Sequence, residues 1–335
     1  MSKNTKPMRV KLIANPGAGD ISKASSRIEE ASHHLLECGL KVDVAVVKPK
    51  KEAIPIAKKA VKKGYDAVIA MGGDGTISAV VRGIAGSKMK LGIIAAGTKN
   101  DIARSLGIPE DLKQACELIA SGQTRKLDLG QISTKDRKKF PFFMVAAVGL
   151  TATIFPLIKE VPEGKLSGIK DAVATVLKFE SKPVVSLTLD DESKIEVETM
   201  LVTIANTPLI GDRNLVAPHA SLQDGLLDIA VYPNFNKADL LAYFARTARE
   251  GSVADGNIQR YRARNIKIKT SPKLDIAAEG IILGKGKASL KVLPGALHVI
   301  APPAGLGAEI PLEKREAQDL PAPVSPVHHG DVSRV

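Results

Sequence analysis

Apolar positions along this chain follow two regimes, one on each side of Gly130. From Met8 to Gly130, short apolar runs alternate with stretches in which apolar residues return every three or four positions. The runs Val10–Ala14, Val42–Val47, Ala67–Met71, Leu91–Ala95 and Lys126–Leu129 predict strands. Helices are predicted over Ser22–Cys38, Glu52–Lys63, Thr76–Ala85 and Leu112–Ser121, with Gly39, Gly64, Gly86 and Gly122 following as C-terminal stops. This alternation is that of an α/β domain built on a doubly wound parallel sheet. Its ligands are expected in the loops at the carboxyl ends of the strands.

After Gly130 the period changes. Phe140–Val148, Val184–Leu189, Glu196–Ala205, Leu226–Val231, Ala263–Lys269, Leu290–Leu293 and Leu297–Ile300 predict strands, and Asp190-Asp191-Glu192-Ser193 reads as a hairpin turn. A mostly antiparallel second domain follows, interrupted by helical patterns over Ser167–Phe179 and Lys237–Arg249. The boundaries expected are 1–131 and 132–303. The tail, Ala304–Val335, is rich in Pro, Ala, charge and His without periodicity, and is expected to be disordered.

Composition narrows the function. At 335 residues and 44% hydrophobic, the chain can fill two cores. No apolar run approaches the ~18 residues that span a bilayer, and the polar Met1–Lys6 lacks the apolar stretch of a signal peptide. Folding in the cytoplasm is therefore expected. Cys38 and Cys116, the only cysteines, lie in helical patterns without metal-binding spacing and read as packing residues. A net charge of +12 suits an anionic partner: nucleotide, nucleic acid or a membrane face. With 3% aromatics and no Trp, the stacking platforms for single-stranded nucleic acid are scarce, so no nucleic-acid partner is expected.

Three loops at predicted strand ends carry candidate chemistry. Asn15-Pro16-Gly17-Ala18-Gly19 follows the first strand, where glycines let backbone N–H groups approach a phosphate; a plain turn is the other account of it. In Gly72-Gly73-Asp74-Gly75-Thr76 an acid flanked by glycines has little packing use but suits a backbone that wraps phosphates while Asp74 faces Mg²⁺ or its water shell. In Ala95-Ala96-Gly97-Thr98-Lys99-Asn100-Asp101, Asn100 or Asp101 can cap the following helix, and Lys99 can add a phosphate contact. Neither GxxxxGK[ST] nor GxGxxG occurs.

These loops, together with GTKNDIARSLGIP over Gly97–Pro109, the segment from Asn206 to Asp228 ending in DGLLD, and Leu293–Pro302, resemble the lipid kinases built on the diacylglycerol kinase catalytic domain, especially the small bacterial members. The resemblance implies a phosphofructokinase-like first domain and a β-sandwich second domain, with ATP in the cleft between them. It implies that Asn15–Gly19 and Gly72–Thr76 cradle the nucleotide phosphates with Thr98 nearby, and that Asp74, Asp101 and Asp128 organise Mg²⁺. Asp224, with the carbonyls of Ser221 and Leu226, matches a second, structural Mg²⁺ site; an ordinary turn is the alternative. The family's general base is the glutamate of an Asp-Gly-Glu motif. Here that stretch reads Ala277-Ala278-Glu279-Gly280, so Glu279 is the candidate base, shifted by about one residue.

Two further departures are Ile77-Ser78-Ala79 where the family continues Leu-Asn-Glu, and no Asn in the strand around Met144–Ala147. The expected activity is ATP- and Mg²⁺-dependent phosphorylation of a lipid hydroxyl at the membrane surface. A catalytically silent nucleotide- or lipid-binding protein and a kinase of a soluble substrate such as NAD are the alternatives. The basic runs Lys48–Lys51, Lys58–Lys63, Lys135–Lys139 and Arg260–Lys269 can touch anionic headgroups, although most such runs are solvated faces. Ile154–Ile158 and Ile169–Phe179 can guide a lipid chain or belong to the core. Sandwich edge strands leave a homodimer open.

Overall fold

The computed structural model describes residues 7–19, 21–48, 52–150, 183–210, 217–250 and 256–303, with positions 152, 174, 176, 179, 214 and 215. The tail from Ala304, the stretch Ile154–Ile158 and nearly all of Ser167–Phe179 lie outside the described residues.

In the first half, strands β1 (Arg9–Ala14), β2 (Lys41–Val46), β3 (Ala67–Gly72) and β4 (Lys90–Ala95) form a parallel sheet in the order β2-β1-β3-β4. Helices α1 (Ala24–Glu37), α2 (Ala53–Lys62), α3 (Asp74–Ile84), the short α4 (Asp101–Ser105) and α5 (Leu112–Ser121) connect them. Every β3 position is buried, as expected of a strand covered on both faces. Ile13, Val68 and Ala70 pack with Ala57, Ile77 and Val80 of α2 and α3; on the other face Leu12, Ile69 and Met71 pack with Ala31, Leu35, Cys116 and Ile119 of α1 and α5.

The second half is an antiparallel sandwich. One layer is β14 (Gln259–Ala263), β13 (Leu227–Val231), β10 (Leu201–Ala205), β7 (Val145–Gly149), β16 (Asp275–Ala278) and β17 (Ile281–Lys285), paired in that order. Facing it are β8 (Val184–Leu189), β9 (Ser193–Glu198), β15 (Asn265–Ser271), β5 (Thr124–Thr134), β6 (Phe140–Phe142) and the first part of β18 (Lys287–Ile300). Helix α6 (Lys237–Glu250) follows β13, and the two-residue strands β11 (Leu209–Ile210) and β12 (Asn214–Leu215) pair apart from both sheets.

Strand β18 joins the halves: residues 287–291 pair with β15, while His298 and Val299 run parallel beside β4. The fifth strand of the first half is a correction to the sequence reading. β5 is eleven residues long and pairs antiparallel with β18 along most of its length, so it is no member of the parallel set.

Three predicted strands break in two, and at each break side-chain oxygens take over from the ladder. Phe140–Val148 divides where the Phe143 and Met144 N–H groups donate to the Glu279 carboxylate. Ala263–Lys269 starts earlier and divides where the Arg264 and Asn265 N–H groups donate to Asp190. Glu196–Ala205 divides at Thr199, which accepts from the Leu201 N–H and donates to the Tyr232 carbonyl. The two predicted pieces of β18 are instead one strand, with a bulge between Leu293 and Leu297. The hairpin at Asp190-Asp191 forms as predicted.

Candidate active site

The three glycine-bearing loops meet at the carboxyl ends of β1, β3 and β4. A Cβ on Gly97 would lie 2.5 Å from Gly73 Cα, and one on Gly19 would lie 2.5 Å from the Ala96 carbonyl oxygen, so backbone packs directly on backbone. Gly19 also has a φ of 69°, in the left-handed region. Asn15 fastens the first loop to the second: its Nδ2 donates to Thr76 Oγ1 at 3.0 Å, and its Oδ1 accepts from the Gly17 N–H. Asn100 closes the third loop on itself, exchanging both side-chain hydrogen bonds with Gly97. Pro16 and Ala18 line the first loop half-buried, whereas Thr98 and Lys99 are exposed.

Asp74, the first residue of α3, accepts the N–H groups of Asp101 and Ile102 at 3.2 and 2.9 Å, and so caps α4 across the gap between loops. The N-terminus of α3 is different: Gly73 stands at its cap position and offers no side chain to cap it. A helix start of glycines among such loops is suited to a phosphate oxygen. Asp101 is buried and accepts from Arg104 at 2.8 Å. Asp128, also buried, accepts the Gly225 and Gly295 N–H groups at 2.8 and 2.7 Å, pinning the DGLLD turn and the β18 bulge to β5. Asp74 and Asp101 are thus brought together, while Asp128 serves the junction with the sandwich.

Glu279 lies at that junction too. With Gly280 it fills the two-residue turn between β16 and β17, with φ of 54° and 74° respectively, and Ile281 is the next residue. Glu279 is 5% exposed, and both of its carboxylate oxygens are engaged. Oε1 accepts the N–H groups of Phe143, Met144 and Val145, and Oε2 accepts Ser78 Oγ at 2.5 Å. Burial pushes the Arg82 guanidinium below its ordinary value while the Glu279 charge opposes this, and Arg82 stacks over the Phe140 ring. Arg82 gave no signal in the sequence, and Ser78 stood out only within the Ile77-Ser78-Ala79 departure, because their partner is some 200 residues away.

At the third expected site the Asp224 carboxylate holds the Leu226 N–H and the Arg262 guanidinium. Arg262 also reaches Asp228, whose carboxyl burial pushes up to about 6 against the pull of Arg262. In this structure the positive charge at the turn comes from Arg262, and a second Mg²⁺ on Ser221, Asp224 and Leu226 would have to share Asp224 with it. Among the described residues no group of three or more His, Cys, Asp or Glu is placed to hold a metal unaided. An ion at Asp74 would have to share its ligands with phosphates, the usual manner of Mg²⁺.

The sequence profile of the diacylglycerol kinase catalytic domain matches residues 9–132, and that of the YegS C-terminal NAD kinase beta sandwich-like domain matches residues 147–301. A diacylglycerol kinase of Bacillus subtilis is 30% identical over 305 residues, covering 88% of this chain and 96% of the relative. One of Mycobacterium tuberculosis is 29% identical over 303 residues, covering 89% and 96%. The crystal structure of a diacylglycerol kinase from Bacillus anthracis superposes with a TM-score of 0.69 at 23% identity, covering 90% of this chain and 99% of that one.

Proposed function

The chain belongs to the diacylglycerol kinase catalytic-domain family, and on that premise we propose that it transfers the γ-phosphate of ATP, with Mg²⁺, to the hydroxyl of a diacylglycerol-like lipid. The observation that carries this reading is the glycine-headed N-terminus of α3 among three loops whose glycines hold backbone against backbone. Asn15–Gly19 and Gly72–Thr76 would hold the phosphates, with Asp74 beside the ion. Bound Mg²⁺ would neutralise charge on the transferring group; phosphoryl transfer depends on such neutralisation and on positioning more than on covalent help.

Glu279 acts in this reading as a positioning residue. A base needs lone pairs open to the substrate hydroxyl, and those of Glu279 are turned toward fixed donors in α3 and residues 143–145. A family Asp-Gly-Glu laid on the same turn would put its glutamate at Ile281. A second reading, a nucleotide- and lipid-binding protein without turnover, draws its support from that same observation.

Transfer of labelled phosphate from ATP to diacylglycerol in mixed micelles, with NAD as the soluble comparison, tests both. The expected result is a labelled phospholipid, reduced at least ~100-fold by Asp74→Asn. Glu279→Gln is expected to keep kcat within roughly tenfold, since loss of a true base costs ~10²–10⁴. ATP binding with no labelled product from either acceptor would overturn the kinase and leave the silent reading.

A further inference from the structure

The exposed run Lys135–Lys139, which loops between β5 and β6, takes no part in the loop cluster. It holds four cations, Lys135, Arg137, Lys138 and Lys139, against the single anion Asp136, and all five residues are exposed. The turn is not free-standing. Thr134 accepts into it from the Arg137 N–H, its own N–H donates to the Arg137 carbonyl, and its Oγ1 donates to the Leu283 carbonyl of β17 at 2.5 Å. The place of a Cβ on Gly284 lies 3.0 Å from Asp136 Oδ2. The basic turn is therefore clamped to β17 directly beside Ile281 and Ile282, which are 37% and 52% exposed on this edge strand.

Opposite Ile282 stands Ala277, whose other neighbour is Ala147; both alanines are buried, and Ile282 on the outer strand is left half exposed. Arg137 stacks over Phe140, the ring that also carries Arg82 of the Glu279 site. Ile281, paired with Ala278, lies on the sandwich side of β17 with the basic turn, and Ile282, paired with Ala277, lies on the other side, so the two flank the free edge of this strand.

We propose that the free edge of β17, flanked by Ile281 and Ile282, and the basic turn with Lys135, Arg137, Lys138 and Lys139 form the edge by which this protein docks on an anionic lipid bilayer. A free phosphate or nucleotide would satisfy the cations and leave the isoleucines in water. An anionic bilayer satisfies both, with headgroups on the cations and the isoleucine side chains in the acyl boundary. The proposal rests on the lipid-kinase reading for its purpose, because it would bring the site to its substrate.

The test is co-sedimentation of the full chain with phosphatidylcholine vesicles, with and without added phosphatidylglycerol. Wild type is expected to prefer the anionic vesicles. Lys138→Glu with Lys139→Glu is expected to weaken binding on the order of 100-fold, since each basic residue near the surface adds roughly fivefold. Ile282→Ser should weaken it several-fold at unchanged charge. Lys58→Glu with Lys62→Glu, exposed on α2, makes the same change in net charge and should have little effect.

Wild-type indifference to anionic lipid, wild-type-like binding by the docking variants, or an equal loss in the α2 control would each overturn the proposal. Phosphorylation of a short-chain diacylglycerol dissolved as monomer reads the kinase assignment separately. It should survive in every docking variant, and its failure in wild type would strike that assignment and not the docking edge.

Discussion

Gly97 and Gly130 need the absence of a side chain for different reasons, and the two can be told apart by experiment. At Gly97 a Cβ would meet Gly73 Cα at 2.5 Å and Asn100 Oδ1 at 2.9 Å, forcing the glycine loops apart. At Gly130 it would strike the Phe142 ring, which lies flat on this position across the β5–β6 pair. Both alanine variants should lose ~1–3 kcal/mol of stability through overpacking. Only Gly97→Ala should also weaken ATP binding, by tenfold or more in calorimetry; equal affinities would mean that the loop cluster is not the nucleotide site. Cysteine supplies a second residue-scale expectation. Burial pushes the Cys116 thiol up to about 12, so alkylation at neutral pH should modify Cys38 slowly and Cys116 only after unfolding, as mass spectrometry of the labelled peptides would show. The glycine loops were legible in the sequence because three glycines around an acid have few other uses. The structural bonds of the acids were not. Asp74, Asp128 and Glu279 each accept backbone N–H groups from segments far along the chain, which no local pattern announces.

Those N–H acceptors also set where elements end. Periodicity placed β8 and α5 to the residue, since both are bounded locally: α5 by the Asp111 cap and by Gly122 with φ 66°, β8 by its hairpin turn. It ran β6 into β7 and β14 into β15 because the interrupting carboxylates come from elsewhere in the sequence. It missed the β16–β17 hairpin, whose Glu-Gly turn is a weaker signal than Asn-Gly or Asp-Gly. The β8–β9 turn separates the two uses of an acid. Asp190 and Asp191 both have positive φ, 50° and 63°. Asp190 accepts the N–H groups of Arg264 and Asn265, whereas Asp191 makes, among the described residues, only an exposed ion pair with Lys267, a contact of little worth in water. Asp191→Gly should therefore be neutral or stabilising by up to ~1 kcal/mol, through relief of the left-handed backbone. Asp190→Ala should cost ~1–3 kcal/mol by stranding two donors. Denaturant melts of the pair decide it: a larger loss at Asp191 would mean that the ion pair, and not the acceptor, holds the turn.

At the scale of the molecule, the two architectures were readable from the change of period, but not the return of the chain from one to the other. β18 puts Leu290 in the sandwich core and Val299 in the α/β core, and its pairing with β5 runs from Thr134 to Thr124 across the boundary. Asp128 and Asn206 add fixed hydrogen bonds at the same seam: Asn206 Nδ2 donates to the carbonyls of Asp128 and Phe143. One continuous strand shared by two cores couples their unfolding, because neither sheet can lose it without exposing the apolar face of the other. Leu290→Ala should then cost ~2–5 kcal/mol and Val299→Ala somewhat less. Scanning calorimetry should show both variants lowering the same single transition, by roughly 2–4 °C per kcal/mol, with calorimetric and van't Hoff enthalpies agreeing. Independent halves would give two transitions, with Leu290→Ala moving one and Val299→Ala the other. In that case β18 would be a linker that happens to pair, and the seam holding Glu279, Asp128 and the loop cluster together could open without unfolding either core.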